Sequence, residues 1–121
     1  MSLVFLDTSA LMKLYIPELG SSWLRTYIQG NQVGIYELAL YESATVLRRR
    51  ILEGSISYTQ ALALYAQLQF DSIGYDILEL RVNNQVDRFV NLAFNLPGNL
   101  RIRALDGIQL AAAQVMREQP I

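Results

Sequence analysis

The sequence contains no cysteine and no histidine. These absences exclude disulfides, zinc sites built on thiolate or imidazole, thiol nucleophiles and every triad that passes protons through histidine. Any chemistry must come from carboxylates, hydroxyls, lysine, arginine, tyrosine or the backbone. Proline is scarce, with 3 in 121 residues, and no glycine-rich phosphate loop is present. Long apolar runs are missing as well: the longest, such as LAAAQVM at 110–116, fall far short of the roughly 20 residues of a membrane-spanning helix. The opening stretch MSLVFLDTSALMKLYIPE has no basic leader region and sets Asp7 inside its first apolar stretch, so a secretory signal is not expected and the expected compartment is the cytoplasm. A net charge of −1 gives no global attraction to nucleic acid. What is present is 52% hydrophobic residues, enough for the core of one domain over residues 1–121, without repeats, linkers or low-complexity tracts. Arginine supplies nearly all the positive charge, and Arg48, Arg49 and Arg50 are consecutive. They read as a solvated helix face, with local phosphate contact as the alternative.

Val4-Phe5-Leu6 reads as a buried strand running straight into a short helix that Thr8 or Ser9 caps and Pro17 limits. A second helix is expected from Ser21 or Ser22 to about Gln29, with Trp23, Leu24, Tyr27 and Ile28 on its buried side and Gly30 after its end. Val33 to Tyr36 reads as a second strand. From Leu38 to about Leu52, Leu40, Ala44, Leu47 and Ile51 recur at helical spacing, and Gly54 ends that helix. Ser57-Tyr58-Thr59-Gln60 fits a capping box opening a helix to about Phe70. Tyr75 to Leu80 reads as a third strand, and Val82, Val86, Phe89, Val90 and Ala93 mark a helix that Leu96-Pro97-Gly98-Asn99 closes. The last helix, from about Gly107 to Arg117, is apolar on most sides and is expected to be deeply buried. Strands alternating with helices call for an α/β fold with a central parallel sheet flanked by helices.

Among the acids, Asp7 stands out because it lies where a strand becomes a helix, and ligands of open α/β sheets bind outside the carboxyl ends of the strands. A carboxylate there needs a partner or a cation; the alternative is that Asp7 itself caps the helix. Asp106-Gly107-Ile108-Gln109 matches a capping pattern, which would equally set the Asp106 carboxylate at the mouth of a buried helix. On a helical wheel Glu42 lies opposite the Leu40, Ala44, Leu47, Ile51 stripe and shares its face with Arg49 and Glu53, so periodicity alone makes it a solvated residue. The remaining acids, Glu18 and Asp71 among them, read as loop or surface residues.

Three blocks point to a family. The string LDTSALMKLYIPE resembles the opening of PIN-domain nucleases, particularly VapC-like toxins of toxin–antitoxin pairs. LALYESATVLRRRILEGSIS resembles that family's second block, whose acid falls on Glu42, and LRIRALDGIQLAAAQ its third, with the acid at Asp106. The resemblance spans essentially the whole chain. It implies a PIN-like three-layer fold and a Mg²⁺ or Mn²⁺ site made by Asp7, Glu42 and Asp106, with Thr8 or Ser9 holding a metal-bound water. The activity implied is hydrolysis of RNA phosphodiester bonds by a homodimer that a cognate antitoxin inhibits. Hard divalent ions prefer such oxygen ligands, and they polarise a phosphodiester without help from histidine or cysteine. The family's last helix is commonly followed by a strand bringing a further acid, whereas this sequence stops at Gln119-Pro120-Ile121, so the last strand is expected to be missing through truncation. Tyr36 takes the place of the usual serine before the second block, and Gln109 the histidine or glutamine place in the third. Two other readings remain: an inactive truncated PIN-like module acting by dimerisation or protein binding, and a phosphatase-like domain using Asp7 as nucleophile, which lacks a second acid because position 9 is serine.

Overall fold

In a computed structural model, the structure describes residues 2–79, 90–91, 93–95, 97 and 104–118. Its elements are β1 (Leu3–Phe5), α1 (Thr8–Met12), α2 (Ser21–Ile28), β2 (Gln32–Tyr36), α3 (Leu38–Leu52), α4 (Tyr58–Ser72), β3 (Asp76–Leu78) and α5 (Ala104–Glu118). The described strands form one parallel sheet in the order β1-β2-β3, with Val4 opposite Val33 and Ile35 opposite Ile77. The α/β class expected from the alternation of strands and helices is therefore observed. The expected helix over 82–93 and the breaker at 96–99 lie largely outside the described residues, as do Leu80 and the chain end beyond 118.

Strand alternation divides the core in two. Val4, Val33, Ile35 and Ile77 point to a cluster built with Leu11, Met12, Leu47, Ala61 and Leu68 from α1, α3 and α4. Leu3, Phe5, Tyr36 and Leu78 point the other way, onto Ala112, Val115 and Met116 of α5. Gly34 permits that second contact, since a Cβ there would stand 2.9 Å from Met116 Cε and 3.0 Å from Leu3 Cδ1. β2 reads as a weak strand by alternation because both of its faces are covered, as a central parallel strand requires.

Several side chains sit differently from their sequence expectation. Asp7 is the N-cap of α1: its Oδ1 accepts from the Ala10 N–H at 2.9 Å, so neither Thr8 nor Ser9 is the cap. In α2 Ser21 and Leu24 are buried and Ile28 is half-buried, while Trp23 and Tyr27 stack on each other in solvent with ring centroids 5.0 Å apart. In α3 the buried positions are Ala39, Ser43 and Leu47, and Ala44 is exposed. Ser43 tolerates complete burial because its hydroxyl donates to the Ala39 carbonyl at 2.6 Å. The capping box of α4 is present as expected, and Tyr65 Oη donates to the Leu40 carbonyl at 2.9 Å, tying α4 to α3. The outer face of α4 leaves Tyr58, Leu62, Phe70 and Ile73 exposed. α5 starts at Ala104, three residues earlier than expected, and is buried on one face only, with Asp106 and Leu110 exposed.

Asp71, expected on the surface, is half-buried and accepts from Tyr15 Oη at 2.9 Å and from Gln67 Nε2 at 2.8 Å; the Tyr15 and Tyr75 hydroxyls are 2.7 Å apart. Burial, then the hydrogen bonds with Tyr75 and Asp71, push the Tyr15 phenol well above its ordinary range. The linkage sign follows: the unfolded chain gives up this proton near pH 10 while the folded chain keeps it, so the contribution is complete below about pH 10 and is lost above it. Thermal melts at rising pH are expected to show the midpoint falling from about pH 10 upward, with a shallower fall in Tyr15→Phe. Parallel curves for the two proteins would contradict this assignment.

Candidate active site

The carboxyl ends of β1 and β2 deliver the candidate residues. Leu6 N–H donates to the Gly34 carbonyl at 2.9 Å, extending the β1–β2 pairing to the residue before Asp7, and Glu37 N–H donates to the Leu78 carbonyl at 2.8 Å just before α3 begins. Asp7 and Thr8 therefore enter the site from the end of β1, and Glu42 stands one turn into α3. Asp106 and Gln109 come from the first two turns of α5. All five line a single cleft of about 950 Å³, together with Ser9, Thr45, Arg49 and Arg50. This is the position at which open parallel sheets bind ligands.

Glu42 is the centre of the cluster. Its Oε1 accepts from the Thr8 hydroxyl at 2.6 Å and from Gln109 Nε2 at 3.1 Å, and the same amide nitrogen stands 3.3 Å from Thr8 Oγ1. The solvated role that periodicity assigns to Glu42 is thus overturned: the side chain is half-buried and hydrogen-bonded. The wheel correctly sets it on the face of Arg49, but that face is the wall of the cleft. The Thr8 proton is committed to Glu42, and Ser9 is exposed on the cleft wall. Asp106 lies inside the first turn of α5 and not at its cap, and Gln109 reaches into the cleft instead of bonding back to a helix terminus.

Gln109 carries the clearest sign of a missing partner. The residue is only 7% exposed, and its Oε1 is the one buried side-chain atom among the described residues without a hydrogen-bond partner. A buried acceptor left unpaired costs about 1–3 kcal/mol, which makes this amide an energetically weak point beside Glu42. In the sequence Gln109 is marked only as a capping partner of Asp106 and by the histidine or glutamine place it takes in the third block.

At the other end of the cleft, Glu18 accepts from Lys13 Nζ at 2.9 Å and from Arg50 Nη2 at 3.1 Å. Lys13 first and Arg50 second hold the Glu18 carboxyl below the usual carboxylate range.

The donor set suits a hard divalent cation in kind, since carboxylates and hydroxyls line the same cleft. The three acids do not form a tight group, since among the described residues no three acidic side chains stand close enough to hold a metal ion by themselves. Among those residues, too, no helix is long and apolar enough to cross a membrane. No family model matches the chain and no curated protein matches it.

Proposed function

We propose that the chain is a metal-dependent endoribonuclease of the PIN type, a VapC-like toxin that hydrolyses RNA phosphodiester bonds in the cytoplasm. The observation that carries this reading is the meeting of Asp7, Glu42 and Asp106, from three separated sequence blocks, on one cleft at the carboxyl end of a parallel sheet. Asp7, Glu42 and Asp106 would each offer a carboxylate to a Mg²⁺ or Mn²⁺ ion, which would need further oxygen donors because the three do not close a site by themselves, and the ion would supply polarisation of the phosphodiester. The chain's own residues do the rest. Thr8 and Gln109 hold Glu42 by Oε1, which fixes the orientation of its carboxylate. The Ala10 N–H fixes Asp7 by Oδ1. A homodimer and a cognate antitoxin that occupies the cleft belong to the same reading.

The loose spacing of the acids favours one alternative, an inactive PIN-like module acting by dimerisation or protein binding. Calorimetric titration of Mn²⁺ at neutral pH, with folding checked by circular dichroism, decides between them. Saturable binding is expected. A well-folded protein that takes up no Mn²⁺ would leave the inactive module as the reading.

A further inference from the structure

The three consecutive arginines of α3 are not equivalent. Arg48 is exposed and lies outside the cleft, whereas Arg49 and Arg50 line it. Arg50 is occupied, because its Nη2 donates to Glu18 Oε2 at 3.1 Å. Glu18 is in turn held by Lys13, which also donates to the Leu19 carbonyl at 3.1 Å, and the Glu18 N–H donates to Ser21 Oγ at 3.0 Å. Arg49 is held more loosely: its Nε forms an exposed i,i+4 ion pair with Glu53 Oε1 at 3.8 Å, beyond hydrogen-bond reach and worth little in solvent, and its side chain is 66% exposed. Among the described residues nothing accepts a hydrogen bond from its guanidinium, so the planar fork is open to a bidentate acceptor.

Spacing gives this arginine a direction. Glu42, Thr45, Val46 and Arg49 follow one another at helical intervals along the same wall of the cleft. Arg49 therefore stands two turns, about 10 Å, along α3 from Glu42. A carboxylate centre at one end and a guanidinium pair at the other fit an extended polyanion lying along the helix. With a net charge of −1 the protein offers no general attraction for such a ligand, so its contact must be local.

We propose that Arg49 and Arg50 form an anion subsite for a backbone phosphate of single-stranded RNA running along α3, and that Glu18 is the built-in carboxylate which that phosphate displaces from Arg50. This deepens the ribonuclease reading and rests on it for the class of ligand. Glu18 sets the subsite's affinity: while it holds Arg50, only Arg49 binds at full strength, and release of Arg50 completes the pair.

The test is binding without cleavage. A fluorescein-labelled single-stranded RNA decamer is titrated in EDTA over a series of NaCl concentrations and followed by anisotropy, each variant first being checked for folding. Arg49→Gln is expected to weaken binding by roughly five- to tenfold and to lower the slope of log affinity against log salt by about 0.7, the release expected for one phosphate contact on a single strand. Arg48→Gln is expected to change neither. Glu18→Gln is expected to tighten binding and steepen the slope, and adding Arg50→Gln to it is expected to remove that gain. Equal effects of Arg48→Gln and Arg49→Gln would overturn the proposal, as would an unchanged or weakened affinity in Glu18→Gln or no RNA binding by the wild type. Failure of the ribonuclease reading shows differently: the pattern of affinities stands in EDTA, while Mn²⁺ is not bound and RNA is not cut.

Discussion

Asp7→Asn is expected to lower RNA cleavage by at least about a hundredfold while leaving the protein as stable as the wild type. The choice of asparagine follows from the two duties of this residue. Asp7 caps α1 through Oδ1 and lines the cleft as a carboxylate. Asparagine is as good a cap as aspartate, whereas alanine at a cap costs about 1 kcal/mol. The amide thus keeps the helix and removes only the charge. On the metal-dependent reading proposed above, loss of one charged ligand from a divalent ion that contributes several kcal/mol to the transition state would correspond to a hundredfold or more in rate. Cleavage assays beside thermal melts check both halves of the statement. An Asn variant that cuts RNA at the wild-type rate would remove Asp7 from the mechanism.

The second large effect falls on Glu42, where the two halves are no longer separable by a single change. In Glu42→Ala the Thr8 hydroxyl and the Gln109 amide lose their shared acceptor, and Gln109 already has an unpaired Oε1. Stability is expected to fall by about 1–3 kcal/mol, which lowers Tm by roughly 4–12 °C for a domain of this size. Glu42→Gln keeps an acceptor oxygen in place and is expected to recover most of that loss. Neither variant is expected to cleave RNA. A Gln variant with restored stability and restored cleavage would mean that Glu42 is only a structural anchor.

The elements of this fold were largely legible because they depend on local signals. α3 runs from Leu38 to Leu52, as its apolar spacing and the following Gly54 indicate, and the Ser57 capping box opens α4. The phases of the helices were harder to read. The buried row of α3 is Ala39, Ser43 and Leu47, and Ser43 hides in it by bonding its own backbone, so a reader following aliphatic residues takes Ala44 and rotates the wheel by one position. That single step moves Glu42 from the flank of the core into solvent. Trp23 and Tyr27 mislead in the opposite direction, since hydrophobicity points them inward while their stacking satisfies them outside.

The candidate site is marked in the sequence only by the order of its three blocks. Asp7 sits at a strand end, and its position alone draws attention, but Asp106 and Glu42 carry no local mark that separates them from a cap and a surface acid. Gln109 shows why. The capping pattern Asp106 to Gln109 would be convincing if the helix began at 107, yet it begins at Ala104. Once the helix starts earlier, the Gln109 amide is released from its terminus, and only contacts more than 60 residues away, with Glu42 and Thr8, decide where it goes. Asp71 is a similar case, bound to a tyrosine 56 residues distant.

Gly34 ties the chemistry to the packing beneath it. Met116 lies against the bare backbone of β2 at that residue, and it stands seven residues, about two turns, from Gln109 on the same buried face of α5. The depth at which α5 seats on the sheet is therefore set at one end of the helix and read at the other. An alanine at position 34 would meet only the ends of the Met116 and Leu3 side chains, which can swing aside, whereas a bulky side chain there would act as a shim that presses α5 off the sheet and draws the Gln109 amide away from Glu42.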